Sequence, residues 1–184
     1  SSPVNVAPAS FLNCYCASSA TSTADEDISN VTFGALNNSS GCTTVAPGPG
    51  SVASQYSNYK TLTPTPVTMG QVVPLSVTQT SCGGSYTNII GVWIDYNHNG
   101  LFTDPGEQVL TGAATVGNHT DNAMVTIPFS ALPGQTVMRA VVAESSSVSP
   151  CGTYTWGETE DYMIDIQVAV PCSGTPNPGN TIAS

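Results

Sequence analysis

The chain has 184 residues, the size of one domain, which is enough to enclose a hydrophobic core. Its 12 acidic residues outnumber two basic residues, Lys60 and Arg139, and give a net charge of −10. Nucleic acid binding requires several cations to neutralise phosphates, so this composition excludes it. No apolar run approaches the roughly 20 residues of a membrane helix, and the sequence therefore predicts no membrane insertion.

Turn-forming residues are frequent, with 17 Gly and 14 Pro, and few segments longer than about eight residues lack one, so helix is poorly supported. Apolar and polar residues alternate in several segments, the pattern of half-buried strands. In chain order these segments are 73–77, 125–129, 137–143 and 162–168, with weaker candidates at 31–36 and 55–62. Pro74 predicts an edge position for the first of them. Residues 89–94 are apolar almost throughout and predict a central strand covered on both faces.

Seven or eight short strands separated by turns predict an all-β fold, an antiparallel β-sandwich of jelly-roll or immunoglobulin-like type with long loops. Composition divides the chain into an N-terminal segment (1–13), the sandwich domain (14–170) and a Pro/Gly/Ser-rich stretch (171–184). The last stretch is typical of a linker or the start of a following module.

An even number of cysteines in a lysine-poor β chain indicates disulfides and a secreted or cell-surface location. Zinc is the rival interpretation, but the Cys14/Cys16 pair has no second clustered pair. Cys14 and Cys16 are too close in sequence to bond to each other. Six cysteines allow fifteen pairings. We favour the disulfides Cys16–Cys42 and Cys82–Cys151, which leaves Cys14 near Cys172.

Oxygen-bearing residues recur at alternate positions in residues 95–107, DYNHNGLFTDPGE. Hard oxygen ligands wound around one ion are typical of a calcium loop, and Gly100 permits the sharp turn. The predicted Ca²⁺ ligands here are Asp95, Asn97, Asn99, Leu101 through its carbonyl, Asp104 and Glu107. The closing Glu is one place late for an EF-hand and no helices flank the loop. The alternative is an Asn-Gly turn with solvated acids, and His98 is expected to point outward.

A second acidic cluster, Glu158, Glu160 and Asp161, lies directly before the predicted last strand. Three neighbouring carboxylates repel one another unless a cation or hydrogen-bond donors screen them. They could complete the Asp95 site or hold another ion. The alternative is a solvated turn whose aspartate caps backbone amides.

These motifs carry a family resemblance. WIDYNHNGLFTDPGEQV (93–109) resembles the WIDWNxDGxFxDxGE segment of the bacterial GEVED domain. GETEDYMIDI (157–166) resembles its closing GEVEDYxVxI motif, with Thr159 in place of Val, and residues 14–34 resemble its opening segment. The resemblance covers residues 14–169. It implies a β-sandwich module of secreted multidomain bacterial proteins, with neighbouring domains of the parent protein as partners.

We find no nucleophile elbow, zinc-protease helix or phosphate-binding loop, and few general acid–base groups, so the sequence predicts no enzyme. Asp95 and Glu160 are the one carboxylate pair that could act in glycoside hydrolysis, and we interpret both as calcium ligands instead. The predicted function is a calcium-stabilised adhesion module that attaches its parent protein to polysaccharide or another surface, with Tyr96, Tyr154 and Trp156 as candidate ligand contacts. The alternative is a structural spacer or fibre-forming subunit, in which case self-assembly is possible.

Overall fold

A computed structural model describes residues 14–170, and within them it contains strands and no helix. The predicted segments 1–13 and 171–184 lie outside the described residues. Since no helix was found in that range, none of the described chain could cross a membrane as an apolar helix. The strands are β1 (Ser18–Ala20), β2 (Glu26–Phe33), β3 (Leu36–Ser39), β4 (Tyr56–Asn58), β5 (Thr65–Thr68), β6 (Val72–Ser81), β7 (Thr87–Ile94), β8 (Gln108–Thr111), β9 (Thr115–Val116), β10 (His119–Thr126), β11 (Gly134–Ala143), β12 (Gly152–Tyr154) and β13 (Gly157–Gln167).

Two sheets form a β-sandwich, as predicted. The smaller sheet has the strand order β10-β6-β2-β3 and the larger has β4-β13-β11-β7-β8, while β1 and β12 form a separate pair. Most pairs are antiparallel, but β4 and β5 both run parallel to β13 at the edge of the larger sheet. The main core lies between the sheets, where alternate side chains of both inner faces meet.

Strand β7 confirms the expectation for residues 89–94. It lies between β11 and β8 and is buried along nearly its whole length. Ile90, Val92 and Ile94 face the main core. Trp93 belongs to a second cluster with Phe102 and Val141 on the outer face of the same sheet. This strand is therefore covered on both faces, and its far end carries the loop that begins at Asp95.

Two details of the strand predictions are wrong. Strand β6 is central, between β10 and β2, although Pro74 suggested an edge. Phe33, the last residue of β2, pairs with Leu75, so Pro74 has no partner in β2. Phe129, which continued the alternation of Val125 and Ile127, is 77% exposed because β10 has already ended at Thr126.

The predicted disulfides exist but the favoured pairing of Cys16–Cys42 and Cys82–Cys151 is wrong. The structure joins Cys16 to Cys151 and Cys42 to Cys82. Parallel pairing of β1 with β12 brings the first two together, because each cysteine directly precedes its strand region. Cys14 is exposed and Cys172 lies outside the described residues, so their proximity stays a prediction.

Candidate functional site

The loop after β7 winds around the carboxylate of Asp95, which is fully buried. Its Oδ1 accepts the backbone N–H of Asn99 at 3.2 Å, and its Oδ2 accepts that of Gly100 at 2.9 Å. The hydroxyl of Tyr15 donates to Oδ2 at 2.7 Å. Gly100 has φ +81°, a left-handed conformation that suits glycine and makes the turn possible.

The next predicted oxygen donors converge within the same loop. Asn97 Oδ1 accepts the Asn99 N–H at 3.1 Å, and Asn99 Oδ1 accepts the Leu101 N–H at 2.8 Å. The side-chain amides of Asn97 and Asn99 both donate to Asp104 Oδ2, at 3.0 and 2.7 Å. Leu101 has an exposed side chain, in keeping with a contribution from its backbone alone.

Glu107 closes the loop from the inside and is 2% exposed. Its Oε1 accepts the Tyr96 N–H at 3.1 Å, and its Oε2 accepts the Asp104 N–H at 3.4 Å. Burial, followed by the charge of Asp95, raises the pKa of Glu107 to about 7. The carboxylates of this loop therefore crowd one another, and a cation would relieve that repulsion.

The donor chemistry of the loop fits calcium, which accepts carboxylate, amide and carbonyl oxygens. However, no group of three Asp, Glu, His or Cys side chains that could hold a metal occurs within residues 14–170. The Asn97 and Asn99 amides already donate to Asp104, so an ion at that oxygen requires both amides to turn. Calcium at this loop stays a prediction. His98 is half-buried beside Gly134 and does not point outward as expected.

A cavity of about 560 Å³ adjoins the loop, within the size range of small-molecule sites. Tyr96, one of the predicted ligand contacts, lines it together with Asp104 and Glu107. The rest of the wall mixes hydroxyl, amide and apolar groups from Asn97, Pro105, Gly106, Val109, Met124, Val125, Thr126, Pro128 and Ser130. None of these residues carries a positive charge, which disfavours anionic ligands.

The other two predicted aromatic contacts, Tyr154 and Trp156, differ in their exposure to solvent. Tyr154 is half-buried against the Trp93 cluster, and its hydroxyl lies 2.8 Å from that of Thr159. Trp156 is 37% exposed. A ligand at this end could therefore contact Trp156, whereas Tyr154 has little free surface.

The second acidic cluster lies inside β13 and not in a turn before it, because the strand begins at Gly157. The structure does not bring these acids to the Asp95 loop. Glu158 pairs with Val142, which pairs with Ile90, whereas Asp95 comes after Ile94 at the opposite end of β7. Glu158 therefore does not complete the Asp95 site, and binding of another ion by this cluster stays a prediction.

Hydrogen-bond donors surround the two glutamates, which face the space between the sheets. Glu158 accepts from Ser57 Oγ at 2.6 Å and from the Ile28 N–H at 3.0 Å. Glu160 accepts from Ser40 Oγ and from the hydroxyl of Tyr162. Burial raises the pKa of Glu160 to about 8 and that of Glu158 well above its ordinary value.

Sequence reasoning missed Asp27, which lies beside Glu158 and is 1% exposed. Its Oδ2 accepts from Ser54 at 2.9 Å. The residue sits in β2 immediately before the apolar Ile28, and no local pattern distinguishes it from a solvated acid.

Asp161 points to the opposite face of β13 and pairs with Arg139. Nε and Nη2 of Arg139 donate to its two carboxylate oxygens at 2.7 and 2.8 Å, and the hydroxyl of Tyr56 donates at 2.9 Å. This carboxylate is neutralised by its partner, which argues against a metal role for it.

Both acidic segments thus belong to one sheet, the first after β7 and the second in β13, in the order expected from the motifs quoted above. Residues 89–165 match the GEVED domain family. The match confirms the resemblance for this part of the chain, which runs from β7 into β13, whereas the opening segment at residues 14–34 lies outside it. The matched part includes the Asp95 loop and every acid of the second cluster.

None of the curated proteins matches this chain. Among solved structures, the chain is similar to a CARDB domain from Pyrococcus furiosus determined in solution. That similarity has 15% identity and a TM-score of 0.35, and covers 56% of this chain and 86% of the other. A crystal structure of the Pyrococcus furiosus CARDB domain in complex with di-metal ions gives 18% identity and a TM-score of 0.32, with 58% and 87% covered.

Proposed function

We propose that this GEVED-containing β-sandwich is a non-catalytic, calcium-stabilised module of a larger secreted or cell-surface protein, and that it attaches that protein to polysaccharide. The observation that carries the proposal is the cavity of about 560 Å³ beside the Asp95 loop. Ordering of the loop by calcium would fix one wall of this cavity. The two disulfides support an oxidising, extracellular setting.

The chemistry of the cavity wall favours an uncharged, hydroxyl-rich ligand. Thr126, Ser130 and Asn97 offer donors and acceptors for hydroxyl groups, while Val109 and Pro128 offer apolar surface for the C–H faces of a sugar ring. Asp104 and Glu107 would repel carboxylated or sulfated polymers. We therefore expect neutral polysaccharides to bind better than acidic ones.

The buried acids support a non-catalytic role. Glycoside hydrolysis needs two carboxyl groups on either side of one bond. Asp95 is held by three donors at the end of β7, and Glu160 lies between the sheets on β13 with its own donors. Neither lines the cavity beside the loop.

Binding to insoluble cellulose, chitin, xylan and mannan, with calcium and then with EDTA, tests the proposal. Retention on at least one neutral polymer, lost in EDTA, is the expected result. Met124→Ala and Trp156→Ala locate the ligand, because both side chains are exposed and their removal should leave the fold intact. We expect Met124→Ala to weaken retention and Trp156→Ala to leave it unchanged.

Thermal unfolding tests the calcium part separately. A ligand that binds only the folded state at a hundredfold excess over Kd stabilises it by about 2.7 kcal/mol. For a domain of this size that corresponds to a rise in Tm of about 5–10 °C. Asp95→Asn should lose most of this rise, whereas Asp165→Asn, which removes a carboxylate of β13 outside the loop, should keep it.

A structural spacer or fibre-forming subunit is the second candidate. The partial burial of Tyr154 against the Trp93 cluster favours it over ligand binding at that end of the domain. No retention on any polymer, together with a calcium-dependent Tm, would support the spacer and refute the polysaccharide assignment. Sedimentation of the calcium-loaded protein would then test self-association.

A further inference from the structure

Four oxygen atoms without hydrogen-bond partners are buried at one end of the sandwich, away from the Asp95 loop. They are both carboxylate oxygens of Glu26, Oδ1 of Asn88 and Oε1 of Gln79. Each of these residues is at most 1% exposed. Buried acceptors normally find a donor, so four in one region require an explanation.

Strand register places these side chains on facing surfaces. In the smaller sheet, Gln79 lies two residues beyond the core residue Val77, and Glu26 lies two residues before Ile28, which pairs with Gln79. In the larger sheet, Asn88 lies two residues before the core residue Ile90. Because side chains alternate along a strand, all three face the space between the sheets.

A second carboxylate lies at the same end. Ala143 is the last residue of β11 and pairs with Ile89, which places Glu144 next to Asn88. Burial and the charges of Glu144 and Asp25 raise the pKa of Glu26 to about 7, so these acids lie within electrostatic range. Glu144 is half-buried, on the solvent side of the group.

The Asn88 amide is held with its oxygen turned away from two backbone carbonyls. Asn88 Nδ2 donates to the carbonyls of Tyr86 at 3.3 Å and Gly117 at 3.5 Å. Gln79 Nε2 donates to Ser81 Oγ at 3.4 Å. Reversing the Asn88 amide would place its oxygen against two carbonyl oxygens. The oxygen is therefore available to a positively charged group.

Two other buried acids, Glu158 and Glu160, differ from Glu26 because hydrogen-bond donors satisfy their carboxylates. Glu158 and Glu160 receive serine, tyrosine and backbone donors, as described above. Glu26 has none, although the N–H groups of Glu26 and Tyr86 are near enough to lower its pKa slightly. A proton on Glu26 could satisfy a single acceptor, whereas a cation can satisfy several at once.

We propose that this end of the sandwich binds a calcium ion through Glu26, Asn88 and Gln79, with Glu144 as the ligand nearest solvent. Two carboxylates would neutralise a divalent ion. No three acidic, histidine or cysteine side chains converge among residues 14–170, so the amide oxygens are needed to complete the set. Ca²⁺ accepts such ligands in flexible geometry, whereas Mg²⁺ retains its waters and suits a dry interior poorly.

This site is separate from the Asp95 loop. Asn88 and Ile94 are six residues apart on one extended strand, a distance of about 20 Å. The proposal therefore does not depend on calcium at the loop, and the two can fail independently.

Calcium titration of chelator-stripped protein, by calorimetry with equilibrium dialysis, tests the proposal. Glu26→Gln should lose one bound calcium per chain relative to the native protein. Glu160→Gln is the matched control, since it neutralises a buried glutamate of β13 that has its own donors, and it should keep that ion. Asp95→Asn reports on the loop alone. Equal stoichiometry and affinity in Glu26→Gln and the native protein would overturn the proposal.

Asn88→Asp gives a test that loss of folding cannot imitate. The added carboxylate should tighten calcium binding and lower Tm in EDTA, two effects of opposite sign. Weaker or unchanged calcium affinity in this variant would overturn the assignment. A Tm of the Asp95→Asn protein that calcium leaves unchanged at every pH between 5 and 9 would also overturn the assignment, because no ion would then bind the folded state at Glu26. Equal affinity for Mg²⁺ would refute the choice of ion.

Discussion

Replacing Arg139 with methionine should destabilise the domain more than any surface substitution. The guanidinium is 2% exposed and makes two hydrogen bonds to Asp161, one to the carbonyl of Cys16 and one to that of Pro150. It also lies 5.0 Å from the centre of the Phe102 ring. Methionine can fill part of this space but leaves the Asp161 charge buried with only Tyr56 as a donor.

The expected magnitude follows from breaking a buried ion pair by removing one partner, which costs about 3–5 kcal/mol. Domains of this kind have a total stability of about 5–15 kcal/mol, so the change is a large fraction. Each kcal/mol lowers Tm by about 2–4 °C at this chain length. We therefore expect Tm to fall by about 6–20 °C.

Urea unfolding at pH 7 in saturating calcium measures the effect, with Arg139→Lys and the Arg139→Met/Asp161→Asn pair for comparison. Lysine keeps the charge but cannot donate in two parallel bonds, so it should show an intermediate loss. The double variant should recover part of the stability because the orphaned charge is gone. A loss below about 1 kcal/mol in Arg139→Met, the value of an exposed pair, would refute the reasoning.

Three further predictions concern other features of the fold. Burial raises the pKa of Glu160 to about 8 from an ordinary 4.5, so the stability that its protonated form contributes is complete below about pH 4.5 and is lost as the pH rises through about 8. In EDTA, the Tm should therefore fall over this pH range, and it should fall less for Glu160→Gln. Disulfide mapping without reduction should find Cys16–Cys151 and Cys42–Cys82. Removing the first disulfide (Cys16→Ser/Cys151→Ser) should lower the Tm more than removing the second (Cys42→Ser/Cys82→Ser), because a separation of 135 residues closes a longer loop in the unfolded chain than one of 40. The reverse order would contradict the chain-entropy argument. Gly157→Ala should lower the free energy of unfolding in urea by about 2–4 kcal/mol, because the residue has φ +130° and a Cβ would overlap the Val142 carbonyl oxygen. The control Gly106→Ala, at φ +90° in open space, should lower it by about 1–2 kcal/mol. Equal losses would mean that the overlap is relieved without cost.

Strands β7, β11 and β13 were predictable because their evidence is local. The apolar residues of each strand lie close together in the sequence, as at Val137, Val141 and Ile164, so a short window is enough to predict a strand. The Asp95 loop was predictable for the same reason, since Asp95, Asn97 and Asn99 recur at alternate positions and Gly100 marks the turn. These features need no knowledge of distant residues.

The tertiary structure decided which distant residues meet. Cys16 pairs with Cys151 because β1 runs parallel to β12, and no spacing in the sequence encodes that contact. Glu158 and Glu160 were expected to bind an ion or to lie in a solvated turn, yet they are buried because β2, with Asp27, packs over the inner face of β13. Burial of a charge is favourable only when donors, protons or a cation compensate it, and those partners come from other strands. The sequence by itself determined where strands and the acidic loop form, whereas the packing of two sheets decided which acids are paired and which are buried without a hydrogen-bond partner.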